Sequence, residues 1–165
     1  MIRVVIVDDH PLVRRGLREM LAADGITVVA EAARSEEVLP ALAAHPCDIV
    51  LLDLSMPGRG GIEVLRDIGA AYPRLRVLVV SAHGGAAFAI RAMRAGAAGY
   101  VSKSSSSEEI VGAVRAVAAT GRYISDEIAG ILADFVLDDR VAPGHEHLSG
   151  REMEVFRLLT RGRTV

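Results

Sequence analysis

Tryptophan is absent from this 165-residue chain, which has a single cysteine, Cys47, and a single lysine, Lys103. One cysteine cannot close an internal disulfide, so a secreted disulfide scaffold is excluded. Long hydrophobic runs are missing too, and nothing reaches the length needed to span a bilayer. The opening stretch from Met1 to Asp9 reads as a strand, not a signal peptide. Charge of one sign is not in excess: 19 basic against 21 acidic residues leave a net charge of −2. That balance argues against a global field for nucleic acid and against an acidic disordered tail. Aromatic residues are only 4% of the chain, yet 51% is hydrophobic, ample for a core. The expectation is a soluble cytoplasmic protein without membrane contact, with one domain plus a fragment of a second.

Short β-rich runs alternate with helical patterns. The expected strands are Ile2–Val7, Thr27–Ala30, Ile49–Asp53, Val77–Ser81 and Gly99–Ser102, several of them nearly continuous in Val, Ile and Leu. Such runs suit parallel strands buried on both faces. The expected helices are Pro11–Ala23, Ser35–Ala44, Gly61–Ala71, Ala86–Ala95 and Ser107–Ala119. Pro11 suits a first helical position. Asp24-Gly25 and Ala95-Gly96 suit helix exits, and Ser35 and Ser107 read as N-caps before acidic first turns. The βα alternation predicts an α/β fold, a doubly wound parallel sheet of five strands.

The pattern breaks after about Thr120. Residues 125–137 read as one amphipathic helix, and Pro143-Gly144 marks a flexible linker. A further helix opens at Ser149 with Glu152 three residues on, a capping box. Residues 1–120 are charge-balanced, 121–147 are acidic and 148–165 are basic. The expected organisation is a domain over 1–120, a linker with one helix over 121–147, and the start of a second module over 148–165.

In open parallel sheets, ligands bind at the carboxyl ends of the strands. Those ends here carry Asp8, Asp9, Asp53, Ser81 and Lys103. Converging carboxylates repel one another unless a hard cation such as Mg²⁺ joins them. A carboxylate can also attack a phosphoryl group and form an aspartyl phosphate. That reaction needs a positive charge and a donor near the phosphoryl oxygens, which Lys103 and Ser81 supply. Each residue alone has an ordinary explanation as helix cap, turn or solvated charge. All of them at the right strand ends make a joint signal.

These residues carry a resemblance. Val7-Asp8-Asp9-His10, the stretch from Leu52 to Gly58, Val80-Ser81-Ala82 and the stretch from Gly99 to Lys103 resemble the receiver domain of two-component response regulators, which has a flavodoxin-like fold. The Asp-Asp-His-Pro opening and residues 148–159 are similar to the NarL/FixJ subfamily, whose members carry a LuxR-type helix-turn-helix. The resemblance implies that Asp53 accepts phosphate from a sensor histidine kinase. It implies that Asp8 and Asp9, Asp53 and the main-chain carbonyl of Ser55 hold Mg²⁺, with Asp9 the favoured direct ligand of the acidic pair. Ser81 turns toward the phosphoryl group, Lys103 pairs with one of its oxygens, and Tyr100 is the aromatic switch that moves inward on activation. It implies a homodimer on activation and transcription regulation, with DNA binding only if the helix-turn-helix is complete. Residues 148–165 supply its first supporting helix but no recognition helix.

Departures are visible. Ser104 stands where many receivers have proline, and Gly60 where the family is often acidic. His83-Gly84-Gly85 opens the helix after Ser81, which leads us to expect a mobile loop between Ser81 and Phe88. Cys47 reads as core packing, and Met20, Met93 and Met153 as core residues. His10 shapes the loop after the acidic pair. His145 and His147 lack a ligand partner, and the glycines at 58–61 lack the lysine of a P-loop. The alternatives are a stand-alone receiver acting by protein–protein contact and a phosphatase of the haloacid-dehalogenase type. The latter is disfavoured because its first strand ends in Asp-x-Asp and this one in adjacent aspartates. The expected protein is not an enzyme in the usual sense: it is a phosphoacceptor with at most self-phosphorylation and autodephosphorylation.

Overall fold

In the computed structural model, residues 1–82, 86–126 and 128–130 are described. Eleven elements follow in order: β1 Arg3–Val7, α1 Pro11–Ala23, β2 Thr27–Ala32, α2 Ser35–Ala44, β3 Ile49–Leu52, α3 Gly61–Ala71, β4 Arg76–Ser81, α4 Ala86–Arg94, β5 Gly99–Ser102, α5 Ser107–Thr120 and β6 Tyr123–Ile124. The strands lie in the order β2-β1-β3-β4-β5-β6, and each neighbouring pair is parallel.

Period-two alternation sorts the strand residues between two cores. Val4, Ile6, Ile49, Leu51, Leu78, Val80 and Val101 pack with Leu17 and Leu21 of α1 and with Ile110, Val114 and Val117 of α5. Val5, Val7, Val50, Leu52, Val77, Val79 and Tyr100 pack with α2, α3 and α4. Both faces of the central strands β1, β3 and β4 are covered, which is why these strands are almost wholly aliphatic. Each such aliphatic side chain contributes about 1.5–3 kcal/mol by its burial. Met20 and Met93 pack against these clusters as partly buried residues, and so does Cys47.

Three local features differ from the sequence reading. The sheet has six strands rather than five. Tyr123 donates its N–H to the Ala98 carbonyl at 2.9 Å, and β6 extends the β5 edge for two residues. A strand that short leaves no periodic signal. It is admitted by Gly99, where a Cβ would lie 2.7 Å from the Tyr123 carbonyl oxygen. The cap of α5 is Ser106, not Ser107, because its side chain accepts from the N–H of Glu109 three residues on. For α2 the cap is Arg34, one residue before Ser35, and Glu37 receives the N–H groups of Ala33 and Arg34.

Helical turns at Asp126 and Ile128–Gly130 begin the expected segment after Ser125, with Ile128 buried against the α4 side of the sheet. The remainder of that segment, residues 83–85 of the mobile loop expected between Ser81 and Phe88, and the module expected over 148–165 lie outside the described residues.

Candidate functional site

Strand register assembles the site. Val7 pairs with Leu52 across β1 and β3, so Asp8 and Asp53 leave the sheet side by side. Ser81 pairs with Ser102 across β4 and β5, which puts Lys103 one residue further along the same edge. Backbone bonds continue past the strand ends: Asp8 N–H to the Ala32 carbonyl at 3.1 Å, Asp53 N–H to Val7 at 2.8 Å and Lys103 N–H to Ser81 at 2.9 Å. The candidate residues therefore stand directly at the ends of the strands.

Asp8, Asp53 and Ser81 are buried, at 2%, 1% and 1% exposure. The Lys103 ammonium bridges the two carboxylates, 2.6 Å from Asp8 Oδ2 and 2.6 Å from Asp53 Oδ2. Burial works to lower the pKa of this ammonium, but the hydrogen bonds and charges of Asp53 and Asp8 outweigh it and hold the pKa above its ordinary value. The other Asp53 oxygen accepts the N–H of Ser55 at 2.9 Å. Asp8 Oδ1 accepts the His10 N–H at 2.7 Å, a local turn that shapes the loop as expected. The His10 ring lies 3.0 Å from Asp9 Oδ1, yet that oxygen accepts no hydrogen bond although it is buried.

Three aspartates face one lysine, an excess of negative charge. Asp8, Asp9, His10 and Asp53 can offer one ligand atom each, all within 4.8 Å of one another. A buried carboxylate oxygen without a donor, among the three aspartates of that group, fits a hard divalent cation. A groove lies elsewhere, at the amino ends of the strands among Leu42, Cys47, Tyr72 and Leu75. We give it no part in the chemistry, because a small ion at strand ends needs convergent charge rather than volume.

Tyr100 is buried at 3% exposure. Burial raises the pKa of its phenol, a hydrogen bond with Ser81 opposes this, and the Asp53 charge adds to the rise. The aromatic and the strand-end serine are thus joined, and Tyr100 already faces inward. Sequence reasoning missed Arg14. Its Nη1 donates to the Asp8 carbonyl at 2.6 Å, and its Nε to Glu31 Oε2 at 3.2 Å. A signal existed: arginines near a helix N-terminus oppose the macrodipole, so a second attraction must hold them.

Residues 4–115 match the response regulator receiver domain family. The chain belongs to the two-component response regulators, in their NarL/FixJ subfamily. It is 37% identical to the response regulator UvrY of Escherichia coli O6:H1 over 167 residues, which is 100% of this chain and 77% of that one. A two-component response regulator of the LuxR family from Aurantimonas sp. SI85-9A1 superposes with a TM-score of 0.75 at 41% identity, covering 86% of this chain and 99% of that one. RcsB of Salmonella typhimurium, in a structure described for its DNA interaction, superposes with a TM-score of 0.74 at 26% identity, covering 99% of this chain and 78% of that one. No helix among the described residues is long and apolar enough to cross a membrane.

Proposed function

We propose that the chain is a phosphorylation-controlled regulator of transcription in the cytoplasm, with Asp53 as its phosphoacceptor and a sensor histidine kinase as donor. The observation that carries this reading is the bridge from the sole lysine to the Asp8 and Asp53 carboxylates at the strand ends. An Asp53 oxygen attacks phosphorus, and the phosphorus–nitrogen bond of the phosphohistidine breaks. The electron pair returns to the imidazole, which takes up a proton. Lys103 exchanges its contact with the Asp53 carboxylate for a phosphoryl oxygen, and Ser81 donates to another. Asp8, Asp9, Asp53 and the Ser55 carbonyl would hold Mg²⁺. When bound, that ion neutralises charge on the phosphoryl oxygens.

Binding of the new phosphoryl oxygens by Ser81 competes with the Ser81–Tyr100 contact. The β4–β5 face therefore has two arrangements that phosphorylation can bias. A face that packs better in one of them favours a homodimer. Residues 1–120 are the receiver, 121–147 the linker and 148–165 the start of the LuxR-type DNA-binding module. The chain is a phosphoacceptor, not a turnover enzyme.

The test is mass spectrometry after acetyl phosphate and Mg²⁺, with particle size measured before and after. The expected product is one phosphoryl group on the Asp53 peptide, absent from Asp53→Ala. Undiminished labelling of Asp53→Ala overturns the assignment. Lys103→Arg is expected to restore little of what Lys103→Ala loses, because a planar guanidinium does not replace a compact ammonium.

A further inference from the structure

Arg14 is tied down at both sides of its guanidinium, and neither tie belongs to the phosphoryl chemistry described above. On one side it meets Glu31 of β2, which also accepts from Arg18. On the other it donates to the main-chain carbonyl of Asp8 at 2.6 Å. The side chains of Arg14 and Glu31 are 17% and 21% exposed, so this is an enclosed contact rather than a solvated surface pair. The Asp8 N–H is already bonded to the Ala32 carbonyl. Arg14 thus completes the fixation of Asp8 by holding the peptide that joins it to Asp9. The orientation of that peptide decides where the Asp9 carboxylate points.

We infer that Arg14 is a positioning residue for the acidic pair: clamped by Glu31, it fixes the Asp8–Asp9 peptide and thereby sets the divalent-cation affinity of the site. This rests on the reading of the site as a cation site. The geometry suits arginine, since the planar fork meets the carboxylate and the carbonyl with two separate nitrogens, Nε and Nη1, where lysine offers one. Outer partners that orient ligands typically change metal affinity by about 10–100-fold when removed.

The sign of the effect separates positioning from plain electrostatics. A positive charge near a cation site repels the cation. If charge were the whole role, Arg14→Gln would tighten binding and Arg14→Lys would leave it unchanged. Positioning predicts that both variants weaken it.

The experiment is calorimetric titration of the full chain with MgCl₂ for the wild type, Arg14→Gln and Arg14→Lys, with thermal unfolding to confirm that each variant is folded. The expected result is a loss of Mg²⁺ affinity of about tenfold or more in both. Arg14→Lys keeps the charge and the stem, so it serves if Arg14→Gln does not fold. Wild-type affinity in Arg14→Lys, or tighter binding in Arg14→Gln, overturns the inference. A wild type that binds no Mg²⁺ overturns the cation-site reading instead.

Discussion

Lys103→Met removes the ammonium and keeps much of the stem, which makes it the sharpest perturbation of the site. The ammonium lies 2.6 Å from each of two carboxylates whose side chains are 2% and 0% exposed. Each contact is worth roughly 6 kcal/mol of gross attraction at an effective dielectric of about 20, offset by several kcal/mol of ammonium desolvation. Breaking a buried pair by removing one partner costs about 3–5 kcal/mol, because the charge left behind has no compensation. Here two carboxylates are left, so we expect a loss in that range in metal-free buffer. At about 2–4 °C per kcal/mol for chains of this size, this lowers the melting temperature by about 6–20 °C.

Two controls follow from the same geometry. Lys103→Met combined with Asp53→Asn should unfold later than Lys103→Met alone, because one of the two stranded charges is gone. Added Mg²⁺ should raise the melting temperature more in Lys103→Met than in the wild type, since a cation binds better where a competing ammonium is missing. The assay is thermal unfolding by circular dichroism, with and without chelator. A metal-free Lys103→Met that unfolds within about 1 kcal/mol of the wild type would refute the buried-pair reasoning.

Other outcomes are equally checkable. Gly61→Ala should cost about 1–3 kcal/mol in urea unfolding, because its Cβ would stand 2.4 Å from the Leu54 Cα. Gly16→Ala, in the interior of α1 with nothing within 4 Å of the new Cβ, should gain about 0.8–1.0 kcal/mol; equal effects at the two glycines would contradict the packing described. The Cys47 thiol is pushed up to about 11, chiefly by burial and next by Asp48, with Arg3 opposing. A raised thiol pKa means less thiolate at a given pH, so iodoacetamide at mildly alkaline pH should modify the folded chain far more slowly than the urea-unfolded chain. Tyr100→Ala should destabilise by about 3–5 kcal/mol as a buried aromatic lost from the core, whereas Tyr100→Phe should cost about 1 kcal/mol for the lost hydrogen bond.

Much of this architecture was legible in the chain because its signals are local. The runs of Val, Ile and Leu marked β1, β3 and β4 to within a residue, and Gly99–Ser102 marked β5 without such a run. Pro11 marked the first residue of α1, and Gly25 and Gly96, both at positive φ, marked two helix exits. The aspartates, Ser81 and Lys103 were legible because a parallel sheet places all its strand ends on one edge, so position along the chain already implies proximity. Capping was misread by one residue at Ser35 and Ser107, since several adjacent serines or charged residues fit the same local pattern.

The sequence by itself determined the alternation of elements, the two-faced burial of the sheet and the set of residues at its carboxyl edge. These depend on hydrophobic period and chain order alone. Tertiary structure decided which partners those residues take: Lys103 between Asp8 and Asp53, Tyr100 against Ser81, Arg14 between Glu31 and the Asp8 carbonyl, and β6 against Gly99. Each of these contacts joins different elements of the fold. Its existence depends on register, twist and side-chain reach in three dimensions, which no local pattern encodes.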